Sequence, residues 1–155
     1  MEAPAKIQPN GLADYLEEMS KVIMETGMNW RVINGKWPGI RDAFDGFDPV
    51  KVADLAPPDI ERLMADPRVI RRRPKLEAIV DNARQMLDLE QQHGSFRQYL
   101  RSHGGFEQTS ADLRKRFKFV GDMGAYHFLY VVGEDVPNYH EWCETHHREP
   151  KKKGY

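Results

Sequence analysis

The chain has 155 residues, 23 Lys and Arg against 24 Asp and Glu, and a formal net charge of −1. That length fits one domain with a real core, and the charge balance excludes a globally basic nucleic-acid binder, so any such contact must come from local clusters. The single cysteine, Cys143, rules out an intrachain disulfide, and no apolar run approaches the roughly 20 residues of a membrane helix. With no signal-peptide core at the start, a cytoplasmic protein is expected.

Residues 1–11, with Pro4 and Pro9, read as a flexible arm, and residues 148–155, with Lys151-Lys152-Lys153, as a flexible basic tail around one domain over 12–147. Asn10 is placed to cap a helix over 12–26, with Leu12, Tyr15, Leu16, Met19 and Ile23 on one stripe and Gly27 as a stop. Met28 to Asn34 reads as a short helix ended by Gly35, and Pro38 opens a third over Gly39 to Phe44. Asp48-Pro49 marks a turn. Pro57-Pro58 opens a helix that runs into a basic turn holding Arg68, Arg71, Arg72, Arg73 and Lys75 beside Val69 and Ile70. Over 75–91, Leu76, Ile79, Val80, Ala83 and Leu87 repeat at helical spacing. Ser95 caps a short helix to about Ser102, Thr109 or Ser110 starts the next, Gly121 to Val132 forms another, and Asn138 begins the last. No period-two stretch is long enough for a strand of any length, so the expectation is an all-α globule.

The basic turn carries the clearest chemistry. Cations at a helix N-terminus suit a phosphate, because the free N–H groups and the helix dipole add to the side-chain charge. The turn is therefore read as a grip on the DNA backbone; a solvated turn is the plain alternative. Arg114-Lys115-Arg116-Phe117-Lys118 is a second local cluster. There is no Gly-rich phosphate loop, no Gly-x-Ser-x-Gly elbow, and no Cys–His pair with an orienting third residue.

Several blocks then fall in a recognisable order: Gly27-Met28-Asn29-Trp30, Ala43-Phe44-Asp45-Gly46-Phe47-Asp48-Pro49-Val50-Lys51-Val52-Ala53, Ile60-Glu61-Arg62-Leu63, Ile70-Arg71-Arg72-Arg73-Pro74-Lys75-Leu76, Asn82-Ala83, and Phe117-Lys118-Phe119-Val120-Gly121 followed by Tyr126. From about residue 12 to residue 140 the chain resembles the DNA-3-methyladenine glycosylase I family, a branch of the helix-hairpin-helix base-excision enzymes. The resemblance implies a helix-hairpin-helix motif and hydrolysis of the N-glycosidic bond of an alkylated purine in double-stranded DNA after base flipping. It implies Trp30 and Tyr126 as base-pocket aromatics, Met28 as the residue wedged into the base stack, and Arg71, Arg72, Arg73 and Lys75 as phosphate contacts. A core role is the alternative for Trp30, and for Tyr126 it is the preferred reading. The enzyme is expected to act as a monomer. No catalytic aspartate follows the hairpin; Asp81 reads as a solvated helix residue.

The departures are specific. Family members place a glutamate eight residues before the pocket tryptophan to bind the alkylated adenine; here that position is Val22, which accepts no hydrogen bond. Glu25 and Asn29, further along the same face if the helix continued, are the candidate replacements. The family's N-terminal aromatics are missing, and a stretch between Ser102 and Thr109 is shorter than in long members. Those members join their ends with zinc held by two Cys and two His. Here the C-terminal end offers His140, Cys143 and His146-His147, of which Cys143 with His140 or His147 could form part of a site; the N-terminal half of the set is absent, and neither structural zinc nor another cofactor is expected. Three readings stand at this point: an active glycosylase with a reshaped pocket, a DNA-binding module that has lost excision, and a protein-interaction relic with a closed pocket.

Overall fold

The computed structural model describes residues 5–146, and every regular element among them is helical. In chain order these are α1 (Leu12–Glu25), α2 (Trp30–Ala43), a 3-10 turn (Asp45–Phe47), α3 (Pro49–Ala53), α4 (Pro57–Ala65), α5 (Arg73–His93), α6 (Phe96–Leu100), α7 (Phe106–Arg116), α8 (Asp122–Val131) and α9 (Tyr139–Thr145). The basic tail and His147 lie outside the described residues, as do residues 1–4. Among the described residues no helix is long and apolar enough to cross a membrane.

Helix α5 is the axis of the molecule. Its apolar stripe, Leu76, Ile79, Val80, Ala83, Met86 and Leu89, is fully buried, and α1, α3, α4 and α6 all pack against it. Helix α1 lays Leu16, Met19 and Ile23 into the same core, then bridges to α8. A second, smaller cluster holds Tyr126, Tyr139, Trp142 and Cys143, with Phe106 packed at its edge.

Several boundaries differ from the sequence reading, each for a tertiary reason. Helix α2 runs unbroken through Gly35 and Pro38 because Ile33, Trp37 and Ile40 bury one face, and Trp37 stacks on Phe47 at 5.4 Å. Burial of each such side chain contributes about 1.5–3 kcal/mol, together comparable to or larger than the cost of the two helix glycines, Gly35 and Gly39, and of the hydrogen bond lost at Pro38. Helix α7 begins at Phe106 rather than Thr109, since Phe106 meets Tyr126 and Trp142 edge-on. Asp48 opens a short helix, not only a turn, by accepting from the Val50 and Lys51 N–H groups. Asn10 does not cap α1 with its side chain; its N–H donates to Asp14. Residues 7–9, assigned to a flexible arm, are tied down: the Ile7 N–H donates to the Val131 carbonyl and Arg97 to the Pro9 carbonyl.

Two phenylalanines adopt left-handed backbone, Phe47 at φ 58° and Phe119 at φ 61°. For a bulky residue this conformation costs on the order of 1–3 kcal/mol. Phe47 offsets that cost by complete burial between Phe44 and Trp37, with ring centroids 5.2 and 5.4 Å away. Phe119 remains 46% exposed.

Candidate nucleic-acid interface

The first part of the site is the loop from α1 to α2. Helix α1 ends at Glu25, and Gly27 turns the chain at φ 74°, a conformation glycine adopts without penalty. The Thr26 hydroxyl donates to the Val22 carbonyl at 2.9 Å and the Met28 N–H to the Glu25 carbonyl at 3.0 Å. Asn29 then caps α2 by accepting from the Arg31 N–H at 2.9 Å. Its side-chain oxygen is therefore occupied by a structural bond, which weakens Asn29 as a catalytic group. Trp30 follows as the first residue of α2, 38% exposed, with the Arg31 guanidinium 5.6 Å from its ring centroid. The indole is not sealed in the core. Met28 is half-buried against the core, and Glu25 is half-buried at the end of α1.

Lys75 corrects the sequence reading. Instead of facing phosphate it turns inward, 5% exposed, and donates to the Thr26 carbonyl at 2.5 Å and the Met24 carbonyl at 3.4 Å. A cation at the C-terminal carbonyls of α1 complements that helix dipole. Burial first, and the nearby Arg72 second, hold its ammonium below the ordinary lysine pKa. Lys75 thus fixes the Trp30 loop to the start of α5.

The turn over 66–72 divides its cations sharply. Arg68 pairs with Asp66 at 2.7 Å, and its stem packs where a Gly39 side chain would otherwise stand, 3.2 Å from that Cβ position. The Arg68 hydrogen bond is the main reason the Asp66 carboxyl sits below its usual range. Arg73 pairs with Glu61 and Glu77. Val69 is buried and anchors the turn. Arg71 and Arg72 are exposed and form no ion pair among the described residues. These two are the cations available to a phosphate, directly before the N-terminus of α5.

The third part is the connection from α7 to α8. Phe117 and Val120 are buried, and between them Asn82 of α5 grips Lys118: its Oδ1 accepts from the Lys118 N–H at 2.9 Å and its Nδ2 donates to the Lys118 carbonyl at 3.2 Å. Phe119 is thereby held outward. Lys75 and Asn82 are seven residues apart, two turns or about 10 Å along α5, so one helix secures both loops. Helices α1 and α8 also meet closely, where Val22 Cγ1 lies 2.9 Å from the Cβ position that Gly124 lacks. Val22, 6% exposed, is packed under the first turn of α8 and does not line an open wall.

Tyr126 takes the core role that the sequence reading also gave it. It is 2% exposed, donates to the Pro137 carbonyl at 2.6 Å and stacks on Trp142 at 4.7 Å. Burial, with Cys143, Tyr130 and Tyr139 adding to it, pushes its phenol up to about 12. It belongs to the second core cluster, not to the Trp30 loop. Cys143 is fully buried in that cluster while His140 is exposed, and among the described residues no three His, Cys, Asp or Glu gather as metal ligands. A separate cleft of about 500 Å³ between α6, α7 and the end of α8 has charged walls that pair internally, Arg101 with Glu134 and His103 with Asp112.

Lys75 and Asn82 carried a signal that the sequence reading did not use: both are polar residues on an otherwise apolar helical stripe. Such residues are buried only with partners. Phe119 carried none, because a positive φ is invisible in sequence.

Comparison with known proteins gives a consistent result. Residues 13–109 match the methyladenine glycosylase family. DNA-3-methyladenine glycosylase 1 of Escherichia coli (strain K12) is 35% identical over 130 residues, spanning 70% of each chain, and the DNA-3-methyladenine glycosylase of Haemophilus influenzae is 30% identical over the same extent. The 3-methyladenine DNA glycosylase I of Staphylococcus aureus superposes with a TM-score of 0.74 at 29% identity, covering 83% of this chain and 80% of that one. A tyrosine-to-phenylalanine variant of a 3-methyladenine DNA glycosylase I in complex with 3-methyladenine gives 0.74 at 30% identity, covering 83% and 81%.

Proposed function

Since the chain belongs to the methyladenine glycosylase family, we propose that it is a DNA N-glycosylase of base-excision repair, acting as a monomer on double-stranded DNA that carries alkylated purines of the 3-methyladenine type. The observation that supports this best is the half-exposed indole of Trp30, anchored through Lys75 to the base of a turn that presents Arg71 and Arg72. The segment joining α4 to α5 is read as the hairpin that holds the phosphate backbone, and Met28 as the side chain that enters the base stack.

The chemistry asks little of the protein. An N3-alkylated adenine is cationic, so it leaves as a neutral base when the glycosidic electron pair moves onto it and water adds to C1′. The enzyme must evert the base, hold it and position the water. The face of Trp30 favours a desolvated cationic base by about 1–2 kcal/mol. Glu25 is the carboxylate we assign to the site, near the developing sugar cation or the water. A leaving group that is already charged needs no Lewis acid, so the reading requires no metal or other cofactor. A cytoplasmic location accords with it.

One observation favours a second reading. Val22 replaces the family's base-binding carboxylate and is pressed onto Gly124, so a chain that binds duplex without excising the base is the alternative. Duplexes containing 3-methyladenine, 7-methylguanine, hypoxanthine or uracil, followed by alkaline cleavage at abasic sites, distinguish the two. Excision of 3-methyladenine is expected; salt-sensitive binding with no abasic product from any lesion would establish the second reading.

A further inference from the structure

We propose that Phe119 is a substrate-contacting residue whose ring stacks against a nucleobase of the bound duplex beside the everted position. The inference rests on the glycosylase reading but concerns a residue outside the segment matched by the family model, residues 13–109.

Three observations carry it. First, Phe119 holds a left-handed backbone at φ 61° with its ring 46% exposed, whereas Phe47, at φ 58°, has its ring wholly enclosed. Burial thus offsets less of the cost at Phe119 than at Phe47, and residues kept in such strain cluster at active sites and ligand clamps. Second, the loop is built to hold the ring out. Asn82 is 1% exposed and commits both side-chain polar atoms to Lys118, while Phe117 and Val120 anchor the chain on either side. Third, α5 joins this loop to the rest of the interface. It begins beside the exposed Arg71 and Arg72, fixes the Trp30 loop through Lys75, and two turns later fixes the Phe119 loop through Asn82. An exposed aromatic ring on a loop secured by the helix that begins at those cations matches a base, since every base offers a π face.

The decisive variant is Phe119→Gly, because glycine accepts the positive φ. The thermal midpoint is expected to be no lower than that of the wild type. Affinity for a duplex with a central abasic site is expected to fall about tenfold, within the range of lost base stacking. Phe119→Trp, which keeps an aromatic face, is expected to stay within about threefold of the wild type. A purely structural residue would lose stability and binding together, so a lower midpoint for Phe119→Gly overturns the inference. Wild-type affinity in Phe119→Gly overturns it equally. Wild-type excision of 3-methyladenine tests the glycosylase reading on its own, and loss of that activity alone leaves the affinity ratio to judge Phe119. If the wild type binds no duplex, both fall.

Discussion

Trp30, at the start of α2, and Phe119, between α7 and α8, stand half-exposed, each beside a loop held from beneath by a buried polar side chain of α5, whereas Tyr126, Tyr139 and Trp142 close upon one another with Cys143 between α8 and α9. The two groups are the same kinds of residue. What separates them is how their surroundings use polar atoms. In the enclosed cluster the Tyr126 hydroxyl bonds the Pro137 carbonyl within its own neighbourhood. At the loops the bonds come instead from separate side chains, Lys75 and Asn82, which hold the neighbouring backbone and leave the rings themselves accessible. An aromatic ring with a rigid base and an open face is suited to receive something; one enclosed on every side supports the fold.

The largest effect expected from this contrast is at Trp30. Trp30→Ala should slow single-turnover excision by about 30-fold or more, the equivalent of about 2 kcal/mol of stacking, with non-specific duplex affinity nearly intact. Parallel excision and fluorescence-anisotropy titrations check this, and equal loss in both would make Trp30 a structural residue.

The next effect concerns the cations. Arg71→Ala combined with Arg72→Ala should weaken duplex binding across all sequences and lower the slope of log affinity against log salt by about 1.8, near 0.9 for each phosphate no longer neutralised. Arg73→Ala, whose guanidinium is already paired with Glu61 and Glu77, should leave that slope unchanged. Lys75→Met should instead lower stability by about 1–3 kcal/mol, because two carbonyls at the end of α1 lose their donor. An equal change of slope for all four residues would show that the inward lysine and the paired arginine also reach DNA.

The smallest effect is at Tyr126. Tyr126→Phe should cost about 1 kcal/mol through removal of the bond to Pro137 and leave excision unchanged. Its pH dependence is distinctive. The unfolded phenol ionises near 10 and the folded one at about 12, so above pH 10 the native state keeps a proton that the unfolded state releases. This stabilising contribution is complete below pH 10 and declines as pH rises toward 12. Urea unfolding at about pH 9 and about pH 11.5 should show the decline in the wild type and a smaller one in the variant. Loss of excision in Tyr126→Phe would place Tyr126 at the reaction after all.

The sequence made the helices of the core legible because their apolar spacing states which face is buried: α5 and α1 lie where the stripes of Leu76 to Leu87 and Leu12 to Ile23 place them. It was silent where long-range packing overrides local preference, as when Trp37 and Phe47 carry α2 through Pro38, or Phe106 starts α7 early. Around the candidate site it named the basic turn and Trp30, but it offered four cations alike as phosphate contacts, although ion pairs and burial leave two of them available.

By itself, then, the sequence determined the all-helical class, because apolar periodicity acts over a few residues at a time, and it carried the family in the order of its motif blocks. The direction in which Lys75 points, the clamp of Asn82 on Lys118, the enclosure of Tyr126 and the outward ring of Phe119 were decided only by tertiary structure. Each depends on a partner brought close by folding, from as little as eleven residues away, as with Tyr126 and Pro137, to as many as 51, as with Lys75 and Met24.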